Sequence, residues 1–457
     1  MALLATSSLR PAVAAGPRYW TLFGWFREFR RDPLAFLEQC ARRYGGVAKF
    51  TAPPITGFVL SDPEWIRHVL ERRANRYGKG RAFRRLTRYV GHGILFTDGE
   101  RWRTGRRLVQ PAFTREKLAA MEQPMMAAIG ALLERWQRSA IGRGEPFDAS
   151  REMAKLALDV VGRALLGQDL ALRLEEFSEI VTRQLHHANY LVTTAFPLPH
   201  FVPTRRNRRA RADTRRGFAE LDAAISDRRR SGLDRDDLLS CLLAAFDDPE
   251  CGYMTEQQVR DELLTFLGAG HETTAVTLSW TWYLLSAHPE AEARLHDELE
   301  RVLGGRAPTF ADLAALGYTR RVIDEALRLY PPAWAMGREA LVEDEIAGQR
   351  VPRGAAVFVS PWVMQRHPDH WEDPERFDPD RFLPERSRGR PRYAYFPFGG
   401  GPRRCIGDQF ALLELPLVLA SVAQRYRLRL VPGQDVTPYP LFTLRPRQGI
   451  RMTLEAR

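Results

Sequence analysis

Lysine is nearly absent from this chain: of 68 basic residues only Lys49, Lys79, Lys117 and Lys155 are lysines, and the rest are arginines. The formal charge is +12 over 457 residues. The arginines run along the whole length instead of pooling in one arm, so the charge does not single out a nucleic-acid binder, and a basic face suited to an acidic protein explains it as well. Cysteine is also scarce. Cys40, Cys241, Cys251 and Cys405 include no C-x-x-C pair, which argues against a zinc ribbon and a thioredoxin-like site and fits reduced thiols in a cytoplasm. No apolar run approaches the roughly 18 residues of a membrane span. The opening MALLATSSLRPAVAAG is interrupted by Arg10 and Pro11 and follows no basic stretch, so it does not read as a signal peptide. The aromatic stretch at 19–26 is expected to pack as part of a loosely ordered N-terminal segment, residues 1–30. Repeats and low-complexity linkers are missing too, and proline and glycine are scattered, so one domain over 1–457 is expected.

What remains is a chain with 44% apolar residues, enough for a sizeable core. Strand-like pieces occur near the start, at 47–52 and 57–61, and again in the last third, at 345–360 and in LRLVP. Between them lie long stretches of helical period, such as residues 115–139 and 177–196. The predicted fold class is mainly α with a minor β region. The stretch 196–216 passes from a proline-punctuated apolar loop to an arginine-rich helix start, which reads as a solvated face or as a greasy lid over an apolar cavity.

The longest predicted helix starts after Thr255, where Thr255 and Gln258 form a capping-box pattern, and ends before Pro289. Its middle is apolar all round and is expected to be buried. Yet Gly268, Gly270, His271, Glu272, Thr273 and Thr274 sit there, and a buried glutamate and hydroxyls need a reason. One reading is packing: glycines for close approach, Glu272 paired with an arginine, hydroxyls bonded one turn back. The other is a groove where an acid beside an alcohol hands protons to something bound. Downstream, Glu325 and Arg328 share a face of an apolar-flanked helix that ends before Pro331 and Pro332.

The loop from Phe398 to Gly407, FGGGPRRCIG, holds one cysteine among glycines. No Gly-Lys-Ser/Thr follows, so it is not a phosphate loop. Zinc would have only His367 and His370 to add, and a nucleophile would need a histidine base, which the spacing leaves open. A thiolate metal ligand fits best, because glycines let backbone N–H groups turn toward sulfur and a helix is predicted to begin there.

Phe398, Gly401, Arg403, Cys405 and Gly407 match F-x-x-G-x-R-x-C-x-G, and the loop resembles the haem-binding loop of the cytochrome P-450 family. Other stretches match in that family's order: AGHETT at 269–274 its oxygen-activating helix, Glu325 and Arg328 its E-x-x-R pair, PERF at 374–377 the segment supplying a further arginine, and Trp102 with Arg106 its W-x-x-x-R helix. The resemblance runs from about residue 30 onward.

It implies haem b with Cys405 as axial thiolate, Phe398 and Gly401 against the sulfur side, and Trp102, Arg106, Arg338 and Arg403 at the haem propionates. It implies Thr273 and Glu272 in oxygen activation and proton relay, and Glu325, Arg328 and Arg376 as a structural lock. Substrate-facing positions would be Phe83, Leu86, Phe266, Ala269, Trp334, Met336, Leu441 and Phe442, an apolar set that suits a terpenoid, steroid, fatty acid or polyketide. Arg81, Arg84, Arg85 and Arg88 would be available to a carboxylate. The expected activity is hydroxylation or epoxidation by a monomeric, cytoplasmic, soluble bacterial-type monooxygenase without an N-terminal anchor. With about fifty residues after Cys405, no fused reductase is expected; electrons would come from a separate ferredoxin or flavodoxin with an NAD(P)H reductase, and Arg103, Arg107 and Arg404 would dock it. Rival readings are a peroxide-using or isomerising haem-thiolate protein and a haem-free basic binding protein.

Overall fold

In this computed structural model the described residues are 16–17, 22–52, 55–139, 141–167, 174–194, 197–235, 237–247 and 254–457. The expectations for residues 1–15, for Tyr19 and Trp20 and for Cys251 lie outside them. Helix dominates, and none of the described helices is long and apolar enough to cross a membrane.

The capping box at Thr255 forms as predicted. The Gln258 N–H donates to Thr255 Oγ1 at 3.2 Å and the Thr255 N–H to Gln258 Oε1 at 2.6 Å, and the helix Glu256–Ala287 follows without a break for 32 residues, roughly 48 Å at 1.5 Å per residue. Three of its hydroxyls are satisfied inside the helix: Thr277, Ser279 and Thr281 donate to the carbonyls of Thr273, Ala275 and Thr277 at 2.6–2.8 Å. A Cβ on Gly270 would come within 2.9 Å of Val161 Cγ2, so this glycine lets the central helix lie close against the helix Ala149–Leu166. The stretch 115–139 divides into Arg115–Ala120 and Glu122–Arg138. Pro124 falls in the first turn of the second piece, where its missing N–H is tolerated.

The principal sheet has five strands in the order Val47–Ala52, Ile55–Leu60, Ala356–Val359, Met336–Ala340 and Tyr77–Gly78. The first pair is a hairpin, with Val47 opposite Leu60. The third strand joins it in parallel, Gly57 beside Ala356, and its other edge pairs antiparallel with the fourth, Met336 opposite Val359. This sheet carries Arg338 on its fourth strand and ends at Tyr77–Gly78, just before Lys79.

Glu325 and Arg328, on the helix Gly317–Leu329, are both fully buried. Arg328 donates to the two carboxylate oxygens of Glu325 at 2.6 and 2.8 Å and to the carbonyls of Gln365, Pro374 and Arg376 at 2.6–3.1 Å. The assignment of Arg376 to this lock is corrected. Arg376 is exposed and lends only its carbonyl; the second arginine is Arg381, buried, with Nε 3.4 Å from Glu325 Oε1. The sequence holds P-x-R-F twice, at 374–377 and 379–382, and only the turn at Asp378, whose N–H caps Glu325 at 2.9 Å, aims the second copy inward. Removing one partner of a buried pair is expensive, about 3–5 kcal/mol, so Arg328→Met should lower the melting temperature sharply. Arg381→Met should do so less, and Arg376→Ala should stay within about 0.5 kcal/mol of the parent. Equal losses for Arg376→Ala and Arg381→Met in thermal melts would contradict the assignment.

Candidate functional site

The loop from 398 to 407 is shaped by contacts its glycines alone permit. Gly401 has φ +65°, and a Cβ there would meet the Leu70 carbonyl at 1.8 Å; one on Gly400 would strike the Tyr393 ring at 2.5 Å. The Cys405 N–H donates to the Phe398 carbonyl at 3.0 Å, closing the loop, and the helix Asp408–Ala423 begins three residues later. Cys405 has accessible surface, yet burial is the largest influence on its thiol. On the central helix, Ala269 is exposed and Thr273 partly so, while residues 265–267, 271, 272 and 274–276 are buried. Both observations are met if Cys405 and the Ala269–Thr273 face open onto internal space. Two contacts bring the elements together: the Phe266 ring lies tilted against Phe113 at 5.4 Å, the ring nearest Gly407, and the Thr274 hydroxyl donates to Glu414 of the helix Asp408–Ala423 at 3.3 Å.

Burial pushes the Cys405 thiol up to about 11, and the Gly407 N–H, Arg106 and Arg404 pull against it without prevailing. The Gly407 N–H and the arginines therefore do not offset burial at the thiol. Coordination to a metal cation does.

Beside this loop the cations outnumber their partners. Arg403 donates to the Thr97 carbonyl at 3.0 Å and to Asp98 at 2.6 Å, and its guanidinium lies 4.3 Å over the Trp102 ring. Arg338, nearly inaccessible, makes one hydrogen bond, to the Gly337 carbonyl; burial and then Arg403 push it down to about 10. Lys79 is held well below its ordinary value by burial, Arg338 and Arg403, with Asp98 opposing. An enclosed cluster with this excess of positive charge fits an anionic group, and the two carboxylates of haem b are such a group. Arg106 stands nearer the sulfur, donating to the Arg404 carbonyl at 3.0 Å. Arg404, on the surface, pairs with Asp408 at 2.6 Å. The reading of residues missed Lys79 and Asp98, and the sequence signal was the rarity of lysine inside Gly-Lys-Gly.

Glu272 and Thr273 are adjacent but look into different spaces, as consecutive helix positions must. The Thr273 hydroxyl donates to the Ala269 carbonyl at 2.7 Å, leaving its lone pairs to accept. Glu272 is clamped by the Arg445 guanidinium on both oxygens and by the Thr443 hydroxyl at 2.6 Å. Burial alone would raise its carboxyl; Arg445 outweighs that and holds it below the usual glutamate value. Glu272 forms part of the wall of a cleft of about 600 Å³ that also contains Thr182, His186 and Arg445.

The eight expected substrate contacts divide. Phe83 and Phe442 pack ring to ring at 6.1 Å, with the buried Phe96 6.2 Å from Phe83; Phe83, Phe442 and Met336 are partly open and Ala269 is exposed. Leu86, Phe266, Trp334 and Leu441 are each less than 9% exposed: Phe266 lies against Phe113, the Trp334 indole N–H donates to the Leu441 carbonyl at 2.8 Å, and Leu441 lines the cleft beside Glu272. Of the arginines offered to a carboxylate, Arg84 pairs with Glu339 at 3.6 Å, Arg85 reaches the Leu191 and Thr194 carbonyls and Arg88 meets His200 at 2.7 Å; the Arg81 side chain lies outside the described residues.

Comparison with known proteins gives the family. The Cytochrome P450 family profile matches residues 14–453. Cyclooctatin synthase of Streptomyces melanosporofaciens is 38% identical over 96% of this chain and 95% of its own length. Pentalenene oxygenase of Streptomyces avermitilis is 36% identical over 94% of each, and a cyclooctat-9-en-7-ol 5-monooxygenase of S. melanosporofaciens 38% over 93% of each. The chain belongs to the cytochrome P450 family and is a monooxygenase that uses haem b to oxygenate a hydrophobic small molecule.

Proposed function

We propose that the substrate is a cyclic terpenoid, hydroxylated or epoxidised by a monomeric, cytoplasmic enzyme that takes electrons from a separate ferredoxin or flavodoxin and its NAD(P)H reductase. The observation that carries the substrate reading is the wall built by Phe83 and Phe442, backed by the buried Phe96. It presents rings and no hydrogen-bonding group, which suits a hydrocarbon skeleton held by shape. The engagement of Arg84, Arg85 and Arg88 elsewhere weighs against a fatty acid. The names of the Streptomyces relatives, cyclooctatin synthase and pentalenene oxygenase, point the same way.

In this reading Cys405 ligates the haem iron, and Trp102, Arg338 and Arg403 hold the haem carboxylates. Haem b, when bound, supplies the oxygen activation that places one atom of dioxygen on the substrate and releases the other as water. The protein's share is to exclude water from the Ala269–Thr273 face, to orient the substrate on the aromatic wall and to deliver protons. The Thr273 hydroxyl, fixed on the Ala269 carbonyl, accepts a hydrogen bond from a water or from the group being protonated. Glu272 collects protons from the cleft it helps to line, and it takes one only when Arg445 swings off its carboxylate. Arg103 and Arg107, exposed beside Trp102 and Arg106 around a cleft of about 520 Å³, supply the basic surface for an acidic redox partner, together with Arg404.

Three measurements test this. Cyclic sesquiterpenes and diterpenes should shift the haem from low to high spin and give oxygenated product carrying label from ¹⁸O₂ with ferredoxin, reductase and NAD(P)H; turnover with hydrogen peroxide alone, or response to fatty acids only, would sink the reading. Glu272→Gln should slow product formation about tenfold or more and enlarge the solvent deuterium isotope effect while ligand affinity holds. An unchanged rate would reduce Glu272 to an anchor for Arg445. Arg103→Glu with Arg107→Glu should weaken reduction by ferredoxin and flatten its salt dependence, and a reduction rate equal to the parent's would remove them from the docking face.

A further inference from the structure

We propose that Glu262 is a positioning residue that grips the segment 91–98 from the central helix, and that the grip loosens when its carboxyl ionises. The inference rests on haem b as cofactor and not on the substrate class proposed above. It starts from two adjacent carboxylates on the helix, Asp261 and Glu262, both nearly inaccessible. The Ile94 N–H donates to Glu262 Oε2 at 3.0 Å, and the His92 N–H donates to Asp261 at 2.7 Å. Two glycines let the backbone come this close. A Cβ on Gly91, at φ +73°, would meet the Asp261 carboxyl carbon at 2.3 Å, and one on Gly93 would meet Thr265 Oγ1 at 2.0 Å. The Gly93 carbonyl in turn receives the Phe96 N–H at 2.9 Å and the Thr97 hydroxyl at 3.3 Å. Thr97 and Asp98 then accept from Arg403, and Phe96 stands behind Phe83. One hold on the central helix thus places both the partners of Arg403 and the ring behind the pocket wall. Glu262 lies on the helix face of Phe266, Ala269 and Thr273, about three turns before Thr273.

The chemistry of the junction gives the grip its pH dependence. Burial pushes the Glu262 carboxyl up to about 8; the Ile94 N–H opposes this, Asp261 adds to it, and Arg101 of the helix Gly99–Val109 opposes it. Burial raises Asp261 as well, against the His92 N–H and the charges of Arg260, His92 and Arg101. Arg260 is itself held by Asp222 at 2.9 Å. The helix Leu238–Asp247, packed against both neighbouring helices, buries leucines. When the segment lifts, water reaches the Glu262 carboxyl and its value returns to the ordinary glutamate range. The closed arrangement therefore keeps a proton that the open one releases. Its stability is fully present below the ordinary glutamate value and is lost as pH rises through about 8. Glu414, which accepts from the Thr274 hydroxyl, is also pushed up to about 8 by burial, so only a variant of Glu262 assigns the effect.

The test compares ferric holoprotein of the parent with Glu262→Gln, Glu262→Leu and Gly93→Ala. Haem release to excess apomyoglobin is followed from pH 6 to pH 9 without substrate, and hydrogen exchange of peptides covering 91–98 is read at pH 7. In the parent, release should quicken about tenfold or more over this range, one proton allowing at most about tenfold per pH unit. Glu262→Gln keeps an acceptor for the Ile94 N–H and has no charge to gain. It should release haem no faster than the parent at pH 6 and flatten the profile to less than about threefold. Glu262→Leu leaves that N–H unpaired and should exchange over 91–98 about tenfold faster, the loss of one buried hydrogen bond. Gly93→Ala, which drives the segment off Thr265, should exchange faster too and release haem quickly at every pH. A Glu262→Gln profile as steep as the parent's would overturn the pH dependence and leave it to Glu414. Exchange over 91–98 equal to the parent's in Glu262→Leu would overturn the grip. Should Glu262→Leu fail to fold, Gly93→Ala and the Glu262→Gln profile still decide, because a glutamate that only fills space predicts the parent's profile in the glutamine variant.

Discussion

A carboxylate cut off from water, Glu325, governs where the sulfur side of the molecule sits. It is shared by Arg328 and Arg381 and capped by the Asp378 N–H, and neither it nor Arg328 retains any exposure. Arg328 spends its remaining donors on three carbonyls of the segment 365–376. Gln365 extends the chain: its amide donates to the Leu327 and Arg328 carbonyls and its oxygen receives the Phe396 N–H at 3.1 Å. Two residues on, the Phe398 carbonyl receives the Cys405 N–H. Polar bonds, joined by the short stretch 396–398, thus lead from the lock to the Cys405 N–H, and such a network holds one arrangement because a half-satisfied version is costly.

On the other side of the loop the constraint is reversed. The lock gives its carboxylate two guanidinium partners and spends the rest of Arg328 on carbonyls, whereas Arg338 has a single carbonyl as hydrogen-bond partner, and a dianionic cofactor satisfies that excess of positive charge. The central helix shows the same contrast on a smaller scale. Glu272 is tied by Arg445 and Thr443, while Thr273, one residue on, keeps its acceptor side open. Stability and chemistry are separated by about 100° of helix rotation.

Much of this was legible in the sequence. The capping box set the start of the central helix, the glycine-ringed cysteine announced an unusual loop, and the apolar flanks of Glu325 and Arg328 gave their burial. The failures share a physical cause: they concern which side chain, among chemically equal candidates, a tertiary contact selects. Arg376 and Arg381 lie in twin P-x-R-F stretches, and only the Asp378 turn distinguishes them. Trp334 and Phe266 are as apolar as Phe83 and Phe442, but they are buried, with an indole bond to Leu441 and a ring contact to Phe113 that no local pattern announces. The partner of Glu272, Arg445, is 173 residues away along the chain, and no local pattern points to it. Both expectations for the central helix hold in part, since its hydroxyls and Gly270 serve packing while Ala269 and Thr273 keep accessible surface.

The claim on which the rest depends is that Cys405 ligates haem iron through sulfur. The carbon monoxide difference spectrum of the reduced protein, recorded beside Cys405→Ser, tests it most directly. The account predicts the red-shifted band of thiolate-ligated haem in the parent and its loss in the variant with the fold retained. A parent without that band, or a Cys405→Ser protein that keeps it, would contradict the account.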